Sequence, residues 1–319
     1  MQLPALSDFF SRPVQRVGWF AVCINNMGVS FAHVKHAKNS PPHVVACSFH
    51  PAENVTPAVL EKLRKDAHIS NFQFITLLAT GEYQMLLVEA PNVPAEELKT
   101  AIRWRIKDSL NYSVDEAAVD VVLVPARNAE AGRPQSAYAV AAHNDTIKKR
   151  LALFEKAKID LRVIDIPEMA QRNIASLFEE GERGLALLSI NDDGGMLTIT
   201  SGGELYLARH IEITAGQLQD ASENLRQQHM ERLELELHRS LDYVGRQLSQ
   251  ISIKRLLVSA PEQLGLVNLL APSLDVPVER LDLTQVLDIS AAPELANSDY
   301  VAHVFPALGA ALRDERRTQ

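Results

Sequence analysis

The residues with the most chemistry to offer sit at two turns. In FAVCINNMGVSFAHVKH, positions 20 to 36, apolar residues alternate with small or polar ones on either side of Asn25-Asn26-Met27-Gly28. That pattern predicts a two-stranded hairpin. A second stretch, GLALLSINDDGGMLTITSGGELYLARHIEI from Gly184 to Ile213, places Asp192 and Asp193 just before Gly194-Gly195. Glycine-bearing turns let backbone N–H groups approach a phosphate, and carboxylates are hard oxygen ligands for magnesium. An Asp-Asp-Gly-Gly run is equally the composition of a solvated turn. Other chemistries find less support. His33 and His36 lie three apart on a strand-like stretch, which points them to opposite faces, and no third ligand stands at a familiar metal-site spacing. Neither a Gly-x-Ser-x-Gly elbow nor a phosphate loop ending in Gly-Lys-Ser/Thr occurs, so nucleophilic catalysis lacks its usual motifs.

Composition narrows the partners. The chain has 319 residues, a formal charge of −8 and 46% hydrophobic content, enough for about two domains with buried cores. A net acidic chain is a poor general binder of nucleic acid or anionic membrane, both of which are held by clustered Lys and Arg. The two cysteines, Cys23 and Cys47, fit a reducing compartment and two free thiols. No run approaches the ~18 apolar residues of a membrane span, and the start MQLPALSDFFSRPVQR lacks the basic and apolar regions of a signal peptide. Within it Leu3, Leu6, Phe9 and Phe10 have helical spacing, either for a short helix packing on its own domain or for touching a membrane surface.

The elements that would position the turns follow from periodicity. After the hairpin come a strand at 44–49, a helix at 57–67 with Leu60 and Leu63 inward, and strands at 72–79 and 83–90. PNVPAEELKTAIRWRIKDSL is a helix opened by Pro94 and by Glu96 and Glu97, whose charges suit its N-terminal dipole. Strands at 118–125 and 137–142 flank the hairpin tip ARNAEAGRPQS, and Asp145 caps a helix to Ala157. The resulting β-α-β-β-α block, about 83–165, has the size of an inserted subdomain. A helix at 167–178 leads into the three-stranded meander 184–213, and a long helical region follows at 217–250. A short strand at 254–259, a helix at 261–270, a strand at 276–281 and a closing helix at 300–312 complete the chain.

Several of these stretches, in this order, resemble the actin-like PilM family of pilus assembly proteins, most closely its MshI branch in MSHA pilus biogenesis. They are AVCINNMGVSFAHV, ELKTAIRWRIKDSLNYSVDEAAVDVVLV, VIDIPEMAQRNIA, LLSINDDGGMLTITSGGELYLARHIEI, ELELHRSLDYVGRQL and HVFPALGAALRDE. The resemblance spans about Val17 to Arg313. It implies an α/β fold of the actin-like (ribonuclease H-like) type, with two halves and an FtsA-like insert in the first. The expected divisions are a tail at 1–16, a first subdomain at 17–82, the insert at 83–165 and a second half at 166–319, whose closing helix returns to the first. It also implies a cytoplasmic protein, peripheral to the inner membrane, that binds the cytoplasmic N-terminal peptide of a PilN-like bitopic protein. Other pilus platform proteins are further possible partners. A third reading is the cytoplasmic part of a type II secretion platform protein, whose fold is related.

Fold does not transfer an active site. Actin-like ATPases carry an Asp-x-Gly-x-x-x-x-Lys pattern on the first hairpin, which falls here on Cys23, Asn25 and Ser30. The second hairpin's Asp-x-Gly falls on Ser189 and Asn191, with Asp192 and Asp193 just out of register. The glycine triplet under adenosine falls on Ala260-Pro261-Glu262. The expectation is therefore a non-catalytic protein without cofactor or metal. The alternative is a drifted ATP and magnesium site built on Asp192 or Asp193. For the partner peptide, Trp104 stands nearly opposite Leu98, Ile102, Ile106 and Leu110 on its helix. It either packs on the main domain or lines a peptide groove between that domain and the insert, with Arg103 and Arg105 beside it.

Overall fold

A computed structural model describes residues 18–36, 40–66, 72–125, 135–181, 183–248 and 251–314. The expected tail 1–16 and nearly all of the hairpin tip after Pro125 lie outside these residues. The first half opens with an antiparallel meander, β1 (Trp19–Asn25), β2 (Gly28–Lys35) and β3 (His43–Pro51), followed by α1 (Pro57–Asp66) and β4 (Gln73–Leu77). β4 pairs in parallel with β1.

The chain then leaves to build the insert from β5 (Tyr83–Glu89), α2 (Ala95–Arg105), β6 (Ala117–Leu123) and β7 (Ser136–His143). It returns through α3 (Asn144–Lys156) to β8 (Leu161–Asp165), which adds in parallel to β4. The first sheet thus has the order β3-β2-β1-β4-β8.

The second half repeats this plan. After α4 (Pro167–Ala175) come the meander β9 (Gly184–Asn191), β10 (Gly194–Ser201) and β11 (Glu204–Ile211), the helices α5 (Ala215–Leu218) and α6 (Glu223–Gln247), and β12 (Ile253–Ser259). α7 (Leu266–Leu270), β13 (Val278–Arg280) and α8 (Ser298–Ala311) close the chain. The sheet order is β11-β10-β9-β12-β13, the first half's order again, with β12 parallel to β9. Two ribonuclease H-like units in tandem make the fold actin-like.

Between the sheets lie α4 and α8, and one apolar cluster joins Ala21 of β1 and Leu187 of β9 to Ile174 of α4 and Leu308 of α8. The two helices cross in backbone contact. A Cβ on Gly309 would stand 2.3 Å from the Ala170 carbonyl oxygen, and the Asn173 side chain donates to the Gly309 carbonyl at 2.9 Å.

The insert is a three-stranded sheet of order β5-β7-β6. α2 covers one face, where Ile102 and Ile106 meet Val119, Ala139 and Ala141. The opposite face turns toward the second half, where Tyr138, Val122 and Val124 join that half's core.

The sequence reading is corrected at five places. The helix expected over 217–250 is broken: Thr214 and Gln217 form a reciprocal capping box on α5, and Asp220 Oδ1 accepts the Ser222 N–H at 2.8 Å in a turn before α6. α3 is capped by His143, whose Nδ1 accepts the Asp145 N–H at 3.1 Å, rather than by Asp145. The α2 helix stops at Arg105 and continues as a 3₁₀ turn at Lys107–Ser109. α3 also buries Phe154 against Phe20, Val22 and Leu60, so it is a layer of the first half as much as of the insert. β8, which the expected insert 83–165 takes in, belongs instead to the first half's sheet as its outer strand.

Candidate functional site

The two turns picked out by sequence face each other across the cleft between the halves. Asn25 Oδ1 accepts the N–H groups of Met27 and Gly28, both at 3.0 Å, a side-chain cap that fixes the β1–β2 turn. Gly28 has φ +150°, and a Cβ there would stand 2.2 Å from the His50 carbonyl oxygen of β3. The amide of Asn25 then reaches across the cleft and donates to Asp193 Oδ2 at 3.1 Å. Asp193 is itself placed by Asn191, whose Oδ1 accepts the Asp193 N–H at 2.9 Å. Burial raises the Asp193 carboxyl above its ordinary range, the Asn25 amide opposes this, and neighbouring Asp192 adds to it.

Behind this clasp lies a cleft of about 390 Å³ that gathers Cys23, Asn25, Ser30, Ser189, Asn191, Asp192 and Asp193. Cys23 is buried and its thiol is pushed up to about 12 by burial, so it is neither a thiolate nor an oxygen ligand at neutral pH. Ser189 donates to Gln171 Oε1 at 2.6 Å. Gln171, fully buried on α4, in turn donates to the Leu187 carbonyl at 2.7 Å. Pro261 lines an adjoining hollow of about 220 Å³. In the stretch that the resemblance sets under adenosine, the Glu262 N–H donates to Asp299 Oδ1 at 3.0 Å and the Glu262 carboxylate pairs with Arg280 at 3.0 Å. Ala260 is buried at the end of β12. Among the described residues lining the cleft and this hollow there is no lysine or arginine.

The cleft lining combines the Gly194-Gly195 turn and the His210 ring with two carboxylates, one of them engaged by Asn25.

A second concavity, about 380 Å³, runs between the insert and the first half. Its walls are two edge strands. β6 contributes Ala118 and Val122, and β8 contributes Leu161 and Ile164. Val140, Leu151, Ile166 and Met169 complete an aliphatic lining, and Lys99, Asp120, Arg162 and Asp165 supply its charge. Lys99 and Asp120 stand 3.3 Å apart, and Asp165 accepts from Arg313 at 2.7 Å. Burial raises the Asp165 carboxyl despite the Arg313 guanidinium.

Trp104, Arg103 and Arg105 are not on this groove. α2 covers the face of the insert's sheet away from it, and Trp104 projects outward with 61% of its surface exposed. It packs on no main domain either, so both readings of Trp104 are corrected. Arg103 donates to the Val114 carbonyl at 2.5 Å and Arg105 to the Glu89 carbonyl at 2.7 Å, so both guanidiniums secure the insert itself. Helical phase gives the side of the helix, but which face of the sheet the helix covers is decided by packing.

Sequence reasoning missed Glu168, Tyr83 and His210. Glu168 is fully buried; its Oε2 accepts the Tyr83 phenol at 2.7 Å, and its Oε1 accepts from His210 Nε2 at 2.7 Å. The Glu168 hydrogen bond raises the His210 pKa above its ordinary value, while burial opposes it. Burial and the adjacent carboxylate push the Tyr83 phenol up. In sequence Glu168 is one acidic residue in the first turn of a helix, which is where helix dipoles place them anyway. His33, the metal candidate, is buried between Phe20 and Phe72, with ring centroids at 5.8 and 4.6 Å. No cluster of metal-ligating side chains occurs among the described residues.

No family model matches the chain, and no curated protein matches it. Solved structures do. A PilM-PilN type IV pilus biogenesis complex aligns at 20% identity with a TM-score of 0.73, covering 93% of this chain and 98% of that one. The cytoplasmic domain of EpsL, an inner-membrane component of the type II secretion system of Vibrio cholerae, aligns at 14% identity and TM-score 0.45 over 76% and 82%. A protein of unknown function with an actin-like ATPase fold, from Bacteroides thetaiotaomicron, aligns at 14% identity and TM-score 0.47 over 88% and 96%. The first of these shares the fold along nearly its whole length. None of the described helices is long and apolar enough to cross a membrane.

Proposed function

We propose that this actin-like chain is a non-catalytic scaffold of a type IV pilus assembly platform, of the PilM family and its MSHA-type branch. It works in the cytoplasm and reaches the inner membrane by capturing the N-terminal peptide of a PilN-like bitopic protein. The observation that carries this reading is the aliphatic groove between insert and first half, walled by two edge strands. Edge strands present unpaired N–H and C=O groups, to which an extended peptide adds as a further strand while alternate side chains enter apolar pockets. The likeness to a structure determined as a PilM-PilN complex supports the same partner class. The cleft supports the non-catalytic part, since Asn25 and Asp193 hold each other where a nucleotide's phosphates would lie.

Titration of a synthetic N-terminal peptide of the PilN-like protein tests the groove. Leu151→Asp changes an exposed lining residue of α3, and Val140→Arg changes the centre of the lining. Each is expected to weaken binding about tenfold or more, with the thermal midpoint of Leu151→Asp nearly unchanged. Trp104→Ala is expected to leave affinity as it is. Wild-type affinity in both groove variants overturns the site.

A further inference from the structure

Glu168 sits where three parts of the molecule meet. It is the second residue of α4, it is fully buried, and it is immediately followed by Met169, a lining residue of the groove. Tyr83, which donates to its Oε2, is the first residue of β5 and so the point where the chain enters the insert. His210, which donates to its Oε1, lies on β11, an edge strand of the second half's sheet. The Tyr83 hydroxyl and His210 Nε2 are themselves 3.5 Å apart. A further polar contact from insert to second half is the Ala208 N–H, also on β11, donating to the Tyr138 phenol at 3.2 Å. A buried carboxylate is a costly way to gain stability, because an apolar side chain of the same volume does as well or better. What it adds is direction: each donor must point at its own oxygen, and only one arrangement of the three elements allows both.

We propose that Glu168, Tyr83 and His210 form a positioning node that fixes the tilt of the insert against the two halves, and thereby the width of the peptide groove. The inference rests on the groove being the peptide site. Loss of either donor leaves one carboxylate oxygen buried without its partner. The insert then relaxes about its Tyr138–Ala208 contact, and the groove walls β6 and β8 move relative to each other.

The test measures tilt and binding separately. Spin labels are placed at the exposed positions Leu123→Cys on the insert and Leu225→Cys on α6, in a full-length Cys47→Ala background. Cys23 stays buried and unlabelled. The double-label chain is expected to show one narrow distance distribution. Tyr83→Phe and His210→Leu should each broaden or shift it and weaken the synthetic PilN-like peptide about tenfold, the scale of one hydrogen bond to a charged group. His210→Gln, whose amide can still donate to Oε1, should restore both. Distributions for Tyr83→Phe and His210→Leu that coincide with the parent overturn the node, as does a shifted distribution with unchanged peptide affinity. If Tyr83→Phe fails to fold, the His210→Leu and His210→Gln pair, at a partly exposed ring, decides alone. A parent chain that binds no peptide removes the groove reading, while the distance measurement still judges whether the node sets the tilt.

Discussion

At the scale of single residues, the candidate sites are held by side chains that satisfy one another. Asn25 spends its oxygen on its own turn and its amide on Asp193, and Ser189 is turned to Gln171. His210 gives a measurable signature. Its pKa is raised in the fold, chiefly by Glu168, so its contribution to stability is fully present below the ordinary histidine pKa and is lost as pH rises through the raised value. The thermal midpoint should therefore fall as pH climbs from the ordinary value of 6.5 upward, and His210→Gln should flatten that step. A step of equal size in the variant would place its origin elsewhere. Asn25 and the Asp192-Asp193 pair were legible as turn residues because Asx chemistry is local. Glu168 was not, since its partners come from 85 residues before it and 42 after it.

At the scale of elements, periodicity found most strands and helices to within a few residues, and it failed where a side chain overrode it. The apolar repeat of 217–250 runs on through Leu218 and Leu225, yet α5 ends at Leu218 and Asp220 takes the Ser222 N–H in the turn that separates it from α6. The T-x-x-Q box, a helix start signal, marks the beginning of α5 and was available in the sequence. β8 is too short and too mixed, LRVID with an exposed Arg162, to declare itself. The crossing of α4 and α8 depends on Gly309, because any Cβ there meets the Ala170 backbone. Gly309→Ala is expected to destabilise the chain by about 2 kcal/mol, typical of an overpacked core contact, measured by denaturant unfolding. A loss below about 0.5 kcal/mol, the range of ordinary surface changes, would show that the helices separate freely.

At the scale of the whole molecule, the duplicated sheet order makes the fold actin-like, and the spacing of hairpins, helices and turns carried that architecture in the sequence. The relative seating of the insert was not legible, because it is fixed by contacts such as Tyr138 with Ala208 that join distant segments. The cleft yields a prediction at this scale. Calorimetric titration with Mg-ATP should give no saturable heat, and micromolar binding lost in Asp192→Ala or Asp193→Ala would show instead a working nucleotide site. The groove has a last consequence, for the chain's behaviour in a crowded solution. An open sheet edge invites neighbouring molecules to stack on it and begin an aggregate. Here the edges β6 and β8 wall the same space of about 380 Å³. On the proposed reading that space takes one extended strand, and an edge paired with its peptide is no longer open to a neighbour's sheet.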